Sequence, residues 1–286
     1  MKPITLTAAG RSWLLALYIV AAAAVFLYLG FPSETLRGYI GQRLSAGLPG
    51  LSVAVGAVRP SLTAGLVLSD VRIAHAQTPV AVLDRVHIHP ELWSLLENRT
   101  RYVFDGSLGG GGLNGQVEID AAGAAPNISL NARISGVLIQ QIEALSRLYG
   151  SRLSGRLDGN FQTTDTGALN GKLTITDGQI ELAAPVLAQD RFTFKTVEAD
   201  LTLQDHSLRV RSGRLRGNEL DADLSGSIAL DSSRAPGSVN LAGRVTPHHA
   251  LLARAEGSLP PGFLRRRAGV PFRISGSLEA PGFSLN

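Results

Sequence analysis

Cysteine is missing from this 286-residue chain. That removes disulfide staples, thiolate metal sites and thiol nucleophiles together. Aromatic residues make up only 6% of the chain and charged residues only 17%, beside an apolar content of 44%. A composition so poor in charge is that of a folded protein and excludes chain-wide disorder. The net charge of +4 is carried by scattered basic residues. With few aromatics among them there is neither a stacking platform nor a recognition helix, so nucleic acid is excluded as a partner. Lysine and glutamate are scarce, whereas Gly, Ser, Thr, Val and Leu are plentiful, which favours strands and turns over helices. G-x-S-x-G, H-E-x-x-H and the protein-kinase set do not occur, and an enzyme is not expected.

Only one long apolar run is present. No charge occurs from Ser12 to Pro32, and Trp13, Leu14, Leu17, Ile19, Val20, Val25, Phe26, Leu27, Tyr28 and Leu29 belong to it. About twenty helical residues cross a bilayer core of roughly 30 Å. Trp13 and Tyr28 stand near the two ends, where amphipathic rings suit the interface. The alternative is a signal peptide cut near Ala22-Ala23-Ala24. It would leave VFLYLGF on the new end, and the run is longer than the usual h-region of about 7–15 residues. An uncleaved span over 12–31 is therefore expected, with 1–11 as a cytoplasmic tail. Lys2 and Arg11 support that orientation, although Arg37, Arg43 and Arg59 beyond the span weaken the bias.

Residues 32–50 read as a linker helix. Ser33 is a candidate cap, Leu36, Ile40 and Leu44 recur on one face, and Gly47 and Pro49 end it. From residue 51 to 286 the pattern alternates with period two. Ile128, Leu130, Ala132, Ile134 and Gly136 face one way. Leu153, Leu157, Phe161, Leu173, Ile175, Leu220, Leu224, Ile228, Val239, Leu241, Phe272, Ile274 and Leu278 continue the apolar row. Asp177-Gly178, Asp205-His206 and Gly217-Asn218 read as hairpin turns, so the sheet is expected to be an antiparallel meander. The alternation slips between Phe194 and Val197 and around Ser69-Asp70, where bulges would restore it. Gly155, Gly159, Gly171, Gly226, Gly243 and Gly276 fall on the apolar side. Glycines there imply a strongly curved sheet with its apolar side concave. Short helices are expected at PELWSLLE, with Pro90 at its start, and at LIQQIEALSRLY, where Leu138, Ile142, Leu145 and Tyr149 align.

Gly110, Gly112 and Gly115 match G-x-G-x-x-G. A dinucleotide loop needs a helix after the glycines. Here NGQVEID alternates like a strand, so the glycines read as a turn and no cofactor is implied. His87 and His89 share a strand face but fall in the polar row with no third ligand nearby, which reads as solvated surface. Asp221 and Asp223 read the same way. Arg265, Arg266 and Arg267 form the densest charge run. Such a run is either a solvated turn or a candidate contact patch for lipid phosphate or an acidic partner.

The expected span is followed by FPSETLRGYI, then VRPSLTAGLVLSDVRI, then VHIHPELWSLLENRTRYVFDGSLGGGGLNG. In that layout the chain resembles protein N of the bacterial type II secretion system, in the short form without a cytoplasmic domain. Arg59-Pro60 and Gly65-Leu66 match its pattern, while Thr63-Ala64 stand where a proline is expected. LSGRLDGNF, LNGKLTITDGQIEL and FRISGSLEAPGFSLN are similar to AsmA-like envelope proteins. The resemblance implies a single-span inner-membrane protein with a periplasmic β-domain, shaped as an AsmA-like trough with two or three short helices. It implies a non-enzymatic accessory role in secretion, with other inner-membrane components of that system and the lipid bilayer as partners. The AsmA likeness implies the alternative: a lipid-transfer or envelope-assembly factor holding phospholipid acyl chains in an apolar groove.

Overall fold

A computed structural model describes residues 18, 32–47, 51–61, 65–75, 78–97, 99–120, 127–142, 146–148, 151–186, 189–205, 207–230, 237–249, 251, 269–277 and 281–285. Of the expected span, only Tyr18 is among them; Trp13, Leu14, Leu17, Ile19, Val20, Val25, Phe26, Leu27, Tyr28 and Leu29 lie outside the described residues. No helix among the described residues is long and apolar enough to cross a membrane.

The protein is mainly β. Helix α1 (Ser33–Gly47) leads into β1 (Leu51–Ser61), β2 (Gly65–His75), β3 (Thr78–Pro90), β4 (Arg99–Leu108), β5 (Gly111–Asp120), β6 (Asn127–Leu138), the two-residue β7 (Arg147–Leu148) and β8 (Ser151–Thr163). Then follow β9 (Leu169–Val186), β10 (Gln189–Gln204), β11 (Ser207–Gly217), β12 (Leu220–Ala229), β13 (Ser238–Pro247), β14 (Val270–Ser277) and β15 (Pro281–Leu285). They form one sheet in which each strand pairs with the next in sequence, except that β6 pairs with β8 and β7 pairs only with β8. All the pairings are antiparallel. This is the expected meander, and short connections explain it, since they cannot carry a chain back to a parallel neighbour.

Of the glycine stretch only Gly109-Gly110 form the turn, while Gly112 and Gly115 lie inside β5. Leu108 pairs with Gly111, and Gly109 and Gly110 between them have φ of 51° and 73°. Two successive left-handed residues match the twist of the flanking strands, and glycine takes them without a Cβ clash. Gln204 pairs with Ser207 around the second expected turn, and Asn218 and Glu219 separate Gly217, the end of β11, from the start of β12 at Leu220.

Asp177-Gly178 is not a hairpin. β9 runs straight through it and stays paired with β10 on both sides, Thr176 with Thr196 and Gly178 with Phe194. The irregularity is on the β8 side, where Ser154 pairs with Gln179 but Arg156 with Thr176. Asp177, with φ of 50°, is thus part of a bulge. The expected helix at LIQQIEALSRLY is shortened at both ends. Its described part is a 3-10 turn at Ile139–Gln141, the helical Ser146, whose amide donates to the Ile142 carbonyl at 2.8 Å, and the short strand β7; residues 143–145 and Tyr149 lie outside the described residues. At PELWSLLE, Pro90 closes β3 and the helical turn is a 3-10 turn over Leu92–Leu96. Ser33 is inside α1, and the backbone amide of Leu36 donates to the Pro32 carbonyl.

Both alternation slips have a structural counterpart, of different kinds. The bulge expected at Phe194 lies between Phe194 and Thr196 against β11. At Ser69-Asp70 the slip is shared by three strands. Val55 and Val58 are buried on β1, Leu68 and Val71 on β2, and Leu83 and Val86 on β3, each pair three apart. Because Val55 pairs with Val71 and Val71 with Leu83, register holds across the kink. The extra residue appears only at β4, where Leu83 pairs with Leu108 and Arg85 with Ser107. Gly136 does not continue the apolar row of β6. A register shift between Ile134 and Val137 puts the fully buried Val137 in its place.

Candidate functional site

Cross-strand partners point to the same side of a sheet, so the pairings trace rows from edge to edge. One row reads Pro60, Leu66, Ile88, Phe104, Gly115, Ala132, Phe161, Gly171, Leu201, Val210, Gly226, Leu241, Ile274, Phe283. A second reads Val58, Leu68, Val86, Gly106, Leu113, Ile134, Gly159, Leu173, Ala199, Gly213, Leu224, Gly243, Phe272. Both rows are apolar or glycine throughout. The apolar residues expected on this face share it: Leu157 pairs with Ile175, Leu153 with Ile180, Ile228 with Val239 and Leu220 with Pro247. Leu278 and the triplet Arg265, Arg266 and Arg267 lie outside the described residues.

The glycines have a packing role that the sequence pattern did not disclose. A Cβ on Gly115 would come within 2.7 Å of the Phe104 ring, one on Gly171 within 2.9 Å of Phe161, and one on Gly243 within 2.7 Å of Phe272. On Gly159 it would lie 2.7 Å from Leu173, on Gly213 2.9 Å from Leu224, and on Gly178 inside the Phe194 ring. In every case the two residues are direct cross-strand partners. A large side chain therefore lies flat across the strand beside it, and glycine is the socket. Each apolar group thus covers backbone as well as neighbouring side chains.

Cover on this face is uneven. Over β1 to β3, Leu36 and Ile40 of α1 pack on the core of Val53, Val55, Val58, Leu68, Val71, Leu83 and Val86. Around β8, Ile139 and Ile142 fold back over Val137 and Leu157, joined by Leu153, Leu173 and Ile175. Beyond β9 the cover among the described residues is mixed, and Phe194, Val210, Ala222, Val239, Leu251, Val270 and Phe272 are buried. Leu201, Leu224, Ile228, Leu241 and Ile274 are half-buried, and Phe283 is 61% exposed while stacked on Phe272 at 5.7 Å between ring centroids. This half-open apolar face is the candidate site.

The opposite face is polar. Arg133 donates to Asn160 at 2.9 Å, Thr202 to Asn170 at 2.9 Å and Ser212 to Asp200 at 2.8 Å, beside a shallow cleft of about 380 Å³. At one strand end Glu219 accepts from the Thr193 amide at 3.1 Å, and Asp221 lies 3.4 Å from both Arg216 and His248. These contacts tie strand ends together. His87 pairs across the strands with Asp105, and among the described residues no group of three His, Asp or Glu could hold a metal ion. At the other end Glu118 and Glu91 bind the Arg101 guanidinium at 3.2 and 2.8 Å. Those hydrogen bonds, Glu118 first, hold its pKa above the ordinary arginine value.

No family model matches the chain, and no curated protein or solved structure matches it.

Proposed function

We propose that this chain is an inner-membrane protein, held by a single span over residues 12–31, whose β-domain lies in the periplasm. It serves there as a non-enzymatic accessory component of the type II protein secretion system. The observation that carries this reading is the apolar face, continuous from β1 to β15 and only half-covered beyond β9 by the described residues. A monomeric protein rarely leaves so extended an apolar surface without a use for it, and contact with a partner is the common one. In this reading the sheet is bent into a trough with the apolar face inside. The layout of span, α1 and alternating strands supports the secretion assignment through the resemblance described above.

The reading is tested in cells that carry the secretion system. Deletion of the chain lowers the amount of exported protein, and crosslinks from the β-domain reach inner-membrane components of the secretion platform. Normal export after deletion overturns it.

A second reading is favoured by the uninterrupted apolar rows, which suit an elongated chain better than a compact ligand. In it the face holds the acyl chains of phospholipid, as an AsmA-like transfer or envelope-assembly factor would. Each buried CH₂ contributes about 0.8 kcal/mol, so one acyl chain is enough to bind. Phospholipid found by mass spectrometry on the purified protein after exchange into a lipid-free detergent supports it. Lipid-free, monodisperse protein rules it out.

A further inference from the structure

We infer that the turn carrying Leu92 and Trp93 is a membrane-interface anchor that inserts into the same bilayer the N-terminal segment is proposed to cross; the inference rests on that membrane reading. Three observations carry it.

The first is direction. Arg37 of α1 donates to the Gly56 carbonyl at 3.4 Å, and a Cβ on Gly41 would lie 3.1 Å from the Val53 carbonyl. Later helix residues thus stand beside earlier strand residues, so α1 runs opposite to β1. Its first residue, adjacent to the apolar run ending at Leu29, lies towards the Arg59–Ser61 end of the sheet. Ser61 pairs with Gly65, and a Cβ on Gly65 would lie 3.1 Å from the His89 Cα on β3. The turn at Leu92–Leu96 follows directly. The chain therefore arrives at the end of the sheet where this turn protrudes.

The second is exposure. Trp93 is 78% exposed and Leu92 60%. Ile128, at 55%, lies at the same end, since it pairs with Ile119, which pairs with Thr100. Among the described residues of β1 to β6 and their connections, Val82 is the remaining exposed large apolar side chain. Exposed tryptophan with leucine is the composition of an interfacial contact, the ring lying at the headgroup level.

The third is rigidity. Ser94, which is buried, donates to the Glu91 carbonyl at 2.6 Å and accepts from the Arg101 amide at 2.9 Å. The Glu91 amide donates to the Arg101 carbonyl at 2.8 Å, and Arg101 clasps Glu91 through its side chain at 2.8 Å. A loop built to hide Trp93 would fold it onto the sheet. This one is fastened so that Leu92 and Trp93 point away.

Tryptophan depth in vesicles tests the inference, because Trp13 and Trp93 are the two tryptophans of the chain. The full chain is reconstituted into phosphatidylcholine–phosphatidylglycerol vesicles with brominated acyl chains. Trp13→Phe leaves Trp93 as the reporter, and Trp93→Phe leaves Trp13. The expected result is blue-shifted Trp93 emission, quenched most by bromines about 5–10 Å below the headgroups. If Trp13 is quenched while Trp93 keeps water-exposed emission, the N-terminal span stands and the inference fails. If Trp93 is blue-shifted but unquenched, the turn is buried against protein and the inference again fails. If neither is quenched, the membrane reading falls and takes the inference with it.

Discussion

Gly178 sits inside β9 with β8 on one side and β10 on the other, directly opposite Phe194, which is only 4% exposed. A methyl group at Gly178 would occupy the space of the Phe194 ring. The ring has nowhere to go without disturbing the packed face, so Gly178→Ala is an overpacking substitution and costs about 1–3 kcal/mol. Against this stands the gain of about 0.5–1 kcal/mol from replacing glycine within a strand. The expected net effect is a loss of up to about 2.5 kcal/mol. Gly38 of α1 provides the control: nothing lies within 4 Å of its would-be Cβ. Gly38→Ala in that exposed helix position gains up to about 1 kcal/mol. Urea unfolding followed by circular dichroism separates the two through opposite shifts of the midpoint at constant slope. If the ring is the obstacle, adding Phe194→Leu recovers part of the loss, with a coupling of about 0.5–3 kcal/mol as contacting residues show. Equal, stabilising effects at both glycines, or strict additivity with Phe194→Leu, would refute the socket explanation.

The remaining predictions concern particular contacts. Asp177, at a φ of 50°, tolerates Gly or Asn, whereas Asp177→Val costs about 1–2 kcal/mol by forcing a β-branched residue into the left-handed region; thermal unfolding reads the difference. Ser94→Ala strands the Arg101 amide without its acceptor and costs about 1–3 kcal/mol, with faster hydrogen exchange at that amide. Leu241→Asp places a carboxylate in the half-buried apolar row and lowers partner or lipid capture, while Asn240→Asp on the polar face leaves it unchanged.

Much of the sheet was legible because alternation is a direct consequence of one wet and one dry face. The runs from Leu153 to Phe161 and from Leu220 to Ile228 could be assigned from the pattern alone. Gly109-Gly110 was legible as well, since no helix follows. Asp177-Gly178 was misleading for a physical reason. The same left-handed residue that opens a hairpin also builds a bulge, and only the unbroken pairing with β10 decides between them. The apolar spacing around Ile142 pointed to a helix without showing that a 3-10 turn precedes it and buries Ile139 and Ile142 over Val137 and Leu157. Apolar spacing over so few residues cannot distinguish a helix from a turn folded onto a core. The sockets escaped because each joins a glycine to a residue on another strand, a relation that exists only once the register is known. The fastening of Trp93 was hidden likewise, as it depends on Ser94 meeting the Arg101 amide across the hairpin.

In-cell photo-crosslinking tests the central claim most directly. A photoreactive amino acid is placed at Leu201, Leu241 and Ile274 on the apolar face, and at Thr202, Asn240 and Ser275 on the polar one. The account predicts adducts from the first set, to secretion-platform proteins in the main reading or to phospholipid in the second. Adducts confined to the polar set would show that the apolar face is not the working surface.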